Sequence, residues 1–412
     1  INRLWICVRE KRAGVEHDFE KDGLDLIIRD GRLTANGTTL GGDNGVAVAL
    51  MLMVLDDDEI EHPPVECVFT TEEEVGLNGA KALDKSVLKA RTMINMDSED
   101  EGVATVSCAG GLRVQFTKEI KRTTVQGSLL TLKVEGLLGG HSGQDIDKER
   151  QNADLLMARM IQRLLKETKG QLVSFNGGTK DNAIPRECEA SLIYESDEEA
   201  AKAEELACEL AETYAEELTP AEPDFSCEIS CETNRTAEAI PQDAAKEFIC
   251  AMRLAPNGIQ KRNIKMDGFV VVSLNLGVVR TEEDRIVMIF SPRSSVASLQ
   301  EDTKERLNTL AETFGFTVSH SSEYPGWSFK EDSPVREICK ESYKELFGED
   351  LKIEAIHAGL ECGLFSDAIK GLDAIAIGPT IANCHTPDEY LTLDSFERFY
   401  EFLKDILSRL AK

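Results

Sequence analysis

Three consecutive glutamates, Glu72, Glu73 and Glu74, are the first residues in this sequence whose spacing suggests chemistry. They lie in the stretch FTTEEEVGLNGA and follow a short apolar run, residues 65–71, which the pattern predicts to be a buried strand. Carboxylates placed close together repel one another, and a divalent cation among them removes that repulsion. The cluster therefore predicts either a solvated turn of an acidic protein or part of a metal site with further ligands elsewhere in the chain.

Candidates for those further ligands follow other predicted strands. Asp97 comes after an apolar run at 91–96, and His385 lies in the loop after a run at 372–378. Asp43 sits in the glycine-rich stretch GGDNG, just before a predicted helix. Ligands of open parallel sheets bind outside the carboxyl ends of the strands. Carboxylates and an imidazole that meet in such a crevice are ligands that zinc accepts.

Each of these residues has a plainer interpretation when taken alone. Asp43 can cap a helix or form an Asx turn, Asp97 can belong to a solvated acidic loop, and His385 can be a hydrogen-bonded turn histidine. Their joint placement after strands is what favours a metal site.

The composition excludes several classes of function. A chain of 412 residues is too long for one ordinary core, so two domains are expected. The formal net charge of −29 argues against a nucleic-acid or membrane partner, because anionic surfaces would repel it. The sequence shows neither a membrane-helix pattern nor a signal-peptide pattern. Eleven cysteines without a CxxC motif predict reduced thiols in a cytoplasmic protein.

The pattern of apolar residues divides the chain into two domains. Strand-like and helix-like runs alternate in residues 1–110 and again in 326–412, which predicts an α/β domain interrupted by an insertion. Residues 111–325 show partly alternating strands between amphipathic helices at about 151–167, 198–218, 240–254 and 296–314. This second pattern predicts a pair of α+β sandwiches with antiparallel sheets.

Several motifs along the chain together resemble one known family. They are, in order, TTLGGDNG, TTEEEVGLNGA, INMDSEDEG, GGHSG, FNGGTKDNAIPRE, IHAGLECGLF and GPTIANCHTPDE. They closely resemble the M20 metallopeptidases, and within them the aminoacyl-histidine dipeptidase branch. The resemblance extends from His17 to the C-terminus. It implies a zinc-peptidase-like α/β catalytic domain with an inserted α+β lid that mediates dimerisation.

The resemblance also implies metal ligands and a cofactor. Asp43 corresponds to the carboxylate that bridges two zinc ions, Glu74 and His385 to ligands of one ion, and Asp97 to a ligand of the other. Two zinc ions per subunit are implied, with cobalt(II) or manganese(II) as alternative metals.

The resemblance assigns the neighbouring glutamates different roles. Glu73 corresponds to the general base, which takes a proton from the attacking water and delivers it to the leaving amine. Glu72 stands where the family often has a neutral residue, so it keeps the interpretation of a solvated turn residue.

Three residues of the inserted domain match positions that act on the substrate in the family. His141 corresponds to a histidine that reaches the active site, often of the partner subunit, and stabilises the oxyanion. A structural histidine in a glycine-rich loop is the alternative. Asn182 and Arg293 correspond to groups that contact the substrate, and the arginine suits a free carboxylate. The alternative for Arg293 is a surface ion pair.

A loop of the catalytic domain completes the implied site. His357, Gly359 and Glu361 resemble the residues that contact the amino end of the substrate. Glu361 can pair with that ammonium group, or it can be a carboxylate stabilised by a helix N-terminus.

One motif of the family is missing from this sequence. The family has a His-x-Asp motif upstream of the HDF segment, and the corresponding residues here, INRLWI (1–6), contain neither residue. His17 matches the histidine of HDF and is no substitute. The sequence is then either a fragment of a complete dipeptidase or a natural variant. In both cases we expect one zinc to bind well and a second poorly, with little or no hydrolysis.

The function implied is a cytoplasmic metallodipeptidase that acts on Xaa-His and β-alanyl-histidine dipeptides with broad specificity and forms a homodimer. Two alternatives stay open at this point. One is an M20-type hydrolase of N-acyl amino acids, and the other is a catalytically inactive binding homologue.

Overall fold

A computed structural model describes residues 8–74, 76–264 and 268–412. The expectation of a missing His-x-Asp motif rests on the sequence INRLWI (1–6). These six residues lie outside the described ranges. The chain forms two compact units, one of Ile1–Cys108 with Pro325–Lys412 and the other of Ala109–Tyr324. No helix in the described ranges is both long and apolar enough to cross a membrane.

The elements follow one another along the chain as α-helices and β-strands. Up to Cys108 they are β1 (Leu26–Arg29), β2 (Arg32–Ala35), α1 (Gly42–Asp56), α2 (Asn78–Ala82), β3 (Thr92–Asn95) and β4 (Val103–Cys108). The second unit contains β5 (Gly110–Glu119), β6 (Thr123–Glu135), β7 (Gly140–His141), α3 (Ala153–Glu167), β8 (Gln171–Gly177), β9 (Ala183–Ile184), β10 (Cys188–Tyr194), α4 (Asp197–Leu218), β11 (Ser226–Ala239), α5 (Gln242–Leu254), β12 (Gly258–Asn263), β13 (Phe269–Thr281), β14 (Arg285–Ser294), α6 (Ala297–Thr313) and β15 (Thr317–Tyr324). The rest of the first unit contains α7 (Pro334–Phe347), β16 (Lys352–Ile356), α8 (Glu361–Ala368), β17 (Asp373–Ala376), β18 (Ile381–Ala382), β19 (Tyr390–Thr392) and α9 (Leu393–Leu410).

The central sheet of the first unit has four strands in the order β16-β4-β17-β3. β16 runs parallel to β4 and β17 runs parallel to β3, whereas β17 and β4 are antiparallel. The strands that precede Asp97 and His385 are thus neighbours in one sheet, as their apolar sequences predict. The mixed direction of the sheet was not predicted.

The predicted strand at residues 65–71 is wrong. These residues form no strand and are half-buried or exposed. The backbone of residues 67–69 makes no hydrogen bond to another described residue. An apolar sequence becomes a strand only where a neighbouring strand takes up its backbone groups. Here the segment lines a cavity instead.

A small second sheet brings the two ends of the first unit together. Its order is β1-β2-β19-β18, and β19 pairs antiparallel with β2 through Leu391 and Leu33. The segment after β2 carries Asp43, and the segment between β18 and β19 carries His385. This pairing therefore places two residues that are distant in sequence near each other.

The second unit contains a single nine-stranded sheet, whose main path is β11-β6-β10-β8-β13-β14-β5-β15, with β12 paired to β13. The expected pair of separate sandwiches is wrong, because β8 and β13 join the two halves at Gly177 and Val279. The four helices predicted for this unit are observed as α3, α4, α5 and α6. The core beneath them contains the fully buried rings of Phe116, Phe175, Phe248 and Phe290.

Candidate metal centre and active site

Three of the predicted metal ligands meet in the first unit. Nε2 of His385 lies 2.8 Å from Oε1 of Glu74 and 3.1 Å from Oδ2 of Asp43. The ligand atoms of these three residues all lie within 4.8 Å of one another. Burial lowers the pKa of His385, but the charges of Glu74 and Asp43 outweigh it and raise the pKa above its usual value. Two oxygen donors and one nitrogen donor at this spacing fit a zinc ion.

The loop that carries Asp43 is held by a carboxylate that the sequence did not single out. Oε2 of Glu389 accepts the backbone N–H groups of Leu40 at 2.8 Å and Gly41 at 2.9 Å, and its Oε1 accepts that of Asp43 at 3.1 Å. Glu389 is only 2% exposed. A side chain added at Gly42 would come within 3.2 Å of the same carboxylate. Glu389 therefore fixes the backbone from which Asp43 reaches the site.

Asn44 links this loop to Asp97. Its Nδ2 donates to Oδ1 of Asp97 at 3.0 Å and to the carbonyl of Met96 at 3.1 Å, while its Oδ1 caps α1 by accepting the N–H of Ala47 at 3.1 Å. The capping role that the sequence offered for Asp43 thus belongs to its neighbour. Burial, followed by the charge of Asp43, raises the pKa of Asp97 to about 7.

The turn that carries the three glutamates is closed by backbone hydrogen bonds. The N–H of Leu77 donates to the carbonyl of Glu73 at 2.8 Å, and the N–H of Gly79 donates to that of Thr71 at 2.9 Å. A Cβ at position 79 would lie 2.2 Å from the Thr71 carbonyl oxygen, so only glycine fits. Glu72 is exposed and accepts from Nδ2 of Asn78 at 3.1 Å. Glu72 belongs to neither group of possible metal ligands among the described residues, and its exposure fits the interpretation of a solvated turn residue.

Glu73 stands among the other carboxylates of the site. Burial is the main cause that raises its pKa to about 8, and the charges of Asp97, Glu74, Glu361 and Asp43 add to it in that order. A carboxyl group with a pKa near neutrality suits general acid and base catalysis. Glu74 thus belongs to the donor triad of Asp43, Glu74 and His385, whereas the adjacent Glu73 lies beside this triad.

The segment that follows β16 contributes the side chain of Glu361 to this cluster of carboxylates. Oε1 of Glu361, in the first turn of α8, accepts from the hydroxyl of Thr70 at 2.8 Å. Burial is the main cause that raises its pKa. His357 is buried, at 7% exposed, and Gly359 lies in the loop between β16 and α8. Both explanations offered for Glu361 remain compatible with this position.

Asp43 also belongs to a second group of three possible metal ligands. Asp43, Glu99 and Cys384 offer ligand atoms that also lie within 4.8 Å of one another. Burial, followed by the charge of Glu99, raises the pKa of the Cys384 thiol. Asp97 belongs to neither of the groups of three found among the described residues, although it lies next to Asp43. The proximity of Glu99 and Cys384 to Asp43 was not foreseen, because it depends on how the loops after β3 and β18 meet.

A cavity of about 470 Å³ adjoins the carboxylates. Its lining includes Asp43, Glu73 and Asp97 together with many apolar side chains, among them Met51, Val68, Met93, Phe365 and Leu403. The apolar surface explains why burial is the first cause of the raised pKa values of Glu73 and Asp97.

The predicted residues of the second unit lie near one another there. The strand of His141 pairs with that of Ala183, and the carbonyl of Asn182 accepts the N–H of Ser142 at 2.9 Å. Arg293 is 7% exposed, its Nη1 donates to the hydroxyl of Tyr324 at 3.0 Å, and its Nε has no hydrogen-bond partner. Burial, and then the charge of Arg293, lower the pKa of His141.

The alternative of a surface ion pair for Arg293 is therefore wrong. Its guanidinium is buried, and no carboxylate of the described residues forms an ion pair with it. A buried guanidinium with an unused N–H group is suited to bind an anion.

Comparison with known proteins shows what the whole chain resembles. A sequence profile of peptidase family M20/M25/M40 matches residues 10–409. The chain is 34% identical over 409 residues to the cytosol non-specific dipeptidase of Escherichia coli (strain K12), covering 98% of this chain and 83% of that protein.

Solved structures give the same relationship. The crystal structure of aminoacylhistidine dipeptidase from Vibrio alginolyticus superposes with a TM-score of 0.93 at 35% identity, over 98% of this chain and 82% of that one. Aminopeptidase PepT from Bacillus cereus, at 16% identity and a TM-score of 0.50 over 96% of this chain and 78% of that one, shares the fold. The predicted fold class, α/β with an inserted α+β unit, is confirmed.

Proposed function

This chain belongs to peptidase family M20/M25/M40, and from that premise we propose that it is a metal-dependent dipeptidase. The observation that carries the proposal is the convergence of Asp43, Glu74 and His385 beside the half-buried carboxyl group of Glu73. The similar proteins from E. coli and V. alginolyticus are a cytosol non-specific dipeptidase and an aminoacylhistidine dipeptidase. Xaa-His and β-alanyl-histidine dipeptides, within a broad specificity, are therefore the substrates we expect.

The donor set fits zinc. Asp43, Glu74 and His385 would hold one ion, and Asp43 with Asp97 would provide oxygen donors for a second. Burial raises the pKa values of Asp43, Asp97 and Glu73, and the charges of neighbouring carboxylates raise them further, as expected for crowded carboxylates with no cation among them. When bound, zinc supplies Lewis acidity toward the substrate carbonyl and lowers the pKa of a water molecule.

The two sites differ in their ligands. The triad contains the imidazole of His385, whereas no histidine of the described residues joins Asp97 in a group of three donors. We therefore infer that one zinc binds tightly and the second weakly. Cobalt(II) and manganese(II) are alternative metals for the same oxygen and nitrogen donors.

Glu73 is the group that moves the proton. Its carboxylate would accept a proton from the attacking water and deliver it to the leaving amine. With no cation in the site, burial and the neighbouring carboxylates raise its pKa to about 8, and bound zinc would lower this pKa toward the ionised form that a general base needs. Glu361, which is close enough to raise the pKa of Glu73, would bind the ammonium end of the dipeptide from the first turn of α8, next to the loop that carries His357 and Gly359.

Residues of the second unit would bind and polarise the rest of the substrate. The buried guanidinium of Arg293 would pair with the free carboxylate, assisted by Asn182. The ring of His141 would donate a hydrogen bond to the oxygen that becomes negative in the transition state. We further propose that this unit acts as a lid and dimerisation domain of a homodimer, and that the protein is cytoplasmic. The E. coli relative, a cytosol non-specific dipeptidase, supports the last of these proposals.

Hydrolysis of β-alanyl-histidine and of N-acetyl amino acids should be compared in the presence of zinc and after chelation. Because the second zinc is expected to bind weakly, the proposal expects little hydrolysis at low zinc, release of histidine at zinc concentrations that fill both sites, and no cleavage of the acylated amino acids. Preference for the acylated compounds would instead support the other M20-type hydrolase activity.

A second candidate function is a catalytically inactive binding protein. The observation that favours it is that Asp97 belongs to no group of three possible metal ligands among the described residues. Binding of a dipeptide without turnover, at zinc concentrations that fill both sites, would support this alternative and contradict the first.

A further inference from the structure

The loop that carries His141 presents two backbone N–H groups to one side of the histidine ring. Nδ1 of His141 accepts from the N–H of Gln144 at 3.0 Å and from that of Gly143 at 3.3 Å. A backbone N–H can only donate, so Nδ1 must keep its lone pair. The proton of the neutral ring is then on Nε2, which is the nitrogen left to meet a substrate.

The same arrangement resists protonation of the ring. A proton on Nδ1 would point at two N–H groups that carry partial positive charge. Burial and the nearby charge of Arg293 lower the pKa of His141, whereas Asp145 opposes them. Asp145 is in turn paired with Lys148 at 2.5 Å, which offsets its charge. Burial, the charge of Arg293 and the two backbone N–H groups thus favour the neutral ring, against the opposing charge of Asp145.

Asp145 closes the loop around the histidine. Its Oδ2 accepts the backbone N–H of His141 at 2.8 Å, and its own N–H donates to the carbonyl of His141 at 3.0 Å. Gly140 has a φ of 141°, and a Cβ there would lie 2.8 Å from Oδ2 of Asp145. These contacts set the path of residues 141–145 and so place the N–H groups of Gly143 and Gln144 under Nδ1.

We propose that Asp145 is a positioning residue, which holds the 141–145 loop so that His141 is fixed as a neutral imidazole that donates through Nε2. The inference rests on the proposed function, in which that N–H meets the developing negative charge. A neutral donor needs no proton uptake, so its contribution to the rate does not vary with pH near neutrality. An imidazolium would lose its extra charge as the pH rises.

The tautomer can be measured directly in the 412-residue chain. Nitrogen-15 labelling of the six histidines, with the His141 signals identified by their loss in His141→Gln, reports which ring nitrogen carries the proton. We expect a single form protonated on Nε2, with a pKa below the usual histidine range. A proton on Nδ1, or a mixture of tautomers that titrates at the ordinary histidine pKa, would overturn the proposal. The measurement requires no turnover, so it stands even if the chain proves not to be a dipeptidase.

Variants of Asp145 test the positioning role. Asp145→Ala removes the acceptor of the backbone N–H of His141 and should give mixed tautomers. By analogy with the loss of outer partners that orient metal-bound histidines, kcat should fall roughly 10- to 100-fold, with a smaller change in KM. Asp145→Asn keeps an acceptor oxygen and should restore the Nε2 form. Lys148→Ala, the matched control, removes only the ion pair. An unchanged tautomer in Asp145→Ala, or loss of the Nε2 form in Asp145→Asn, would refute the role assigned to Asp145.

Discussion

The carboxylate of Glu389 accepts the backbone N–H of Asp43 at 3.1 Å, across 346 positions of sequence. Because the same side chain also accepts the N–H groups of Leu40 and Gly41, its removal would leave three N–H groups of this loop without their acceptor. We expect Glu389→Ala to weaken zinc binding roughly 10- to 100-fold, as loss of outer-shell support does at metal sites. Calorimetric zinc titration measures this directly.

Asp388→Ala provides the control for that experiment. Asp388 adjoins Glu389, but its side chain is 67% exposed and pairs with Arg12. The variant should bind zinc as the parent chain does. Equal zinc affinities for the two variants would show that the loop keeps its shape without Glu389.

Glu73→Gln should abolish proton transfer but not metal binding. The variant retains Asp43, Glu74 and His385, so its tighter zinc site is intact. We expect kcat to fall about 10²- to 10⁴-fold, the usual contribution of a general base, at nearly unchanged zinc affinity. Glu72→Gln is the matched control, because Glu72 is exposed and contacts Asn78. A comparable loss of activity in Glu72→Gln would contradict the assignment.

Arg293→Met should act on the recognition of the substrate carboxylate. Loss of one partner of a buried charge pair costs about 2 kcal/mol or more, so kcat/KM for dipeptides should fall by at least roughly 30-fold. Dipeptides with a C-terminal amide should be affected much less, because they lack the charge. Arg285→Met, at the exposed end of the same strand, removes only a pair with Glu282 and should change neither substrate. An equal effect on acids and amides would exclude this role of Arg293.

Asp154 makes the stability of the second unit depend on pH. Burial raises the pKa of this carboxyl group to about 8, although the thiol of Cys188 and the charge of Arg280 lower it. In the unfolded chain it has an ordinary pKa, so between about pH 4 and pH 8 only the folded state holds this proton. The stabilising contribution is thus complete below the unfolded pKa and is lost as the pH rises through about 8.

Asp154→Asn should therefore gain stability over the parent chain as the pH increases. The expected gain is about 1.4 kcal/mol per pH unit between about pH 5 and pH 8. Thermal and denaturant unfolding of the full chain over this range measures it. Asp302→Asn, an exposed aspartate in α6, should follow the parent chain. A pH-independent difference between Asp154→Asn and the parent would contradict the predicted linkage.

Local sequence was enough to predict the helices of the second unit and the strands that precede Asp97 and His385. These elements carry their own periodicity, so the pattern of apolar residues determines them. Residues 65–71 show the limit of such patterns, because a strand also needs a neighbour to accept its hydrogen bonds. The prediction of a pair of sandwiches in the second unit was wrong for a similar reason, since the pairing of β8 with β13 at Gly177 and Val279 joins the strands into one sheet.

The candidate site was predictable where a residue type implies a chemistry. Asp43, Glu74 and His385 are typical metal ligands, and the structure brings them together. Glu389 and Asn44 were missed, because each acts through hydrogen bonds to a loop that only the folded chain brings near. The HTPDE motif nevertheless contains Glu389 four positions after His385.

The pairing of β2 with β19 has a consequence for how the protein is made. Ala109–Tyr324 is continuous in sequence and can fold while synthesis proceeds, whereas the other unit is built from two segments that this insertion separates. His385 follows Asp43 by 342 positions and Glu74 by 311, so a nascent chain that has not yet emerged past His385 holds only two members of the donor triad. Zinc capture by the complete triad therefore has to wait until the inserted unit and His385 have been synthesised.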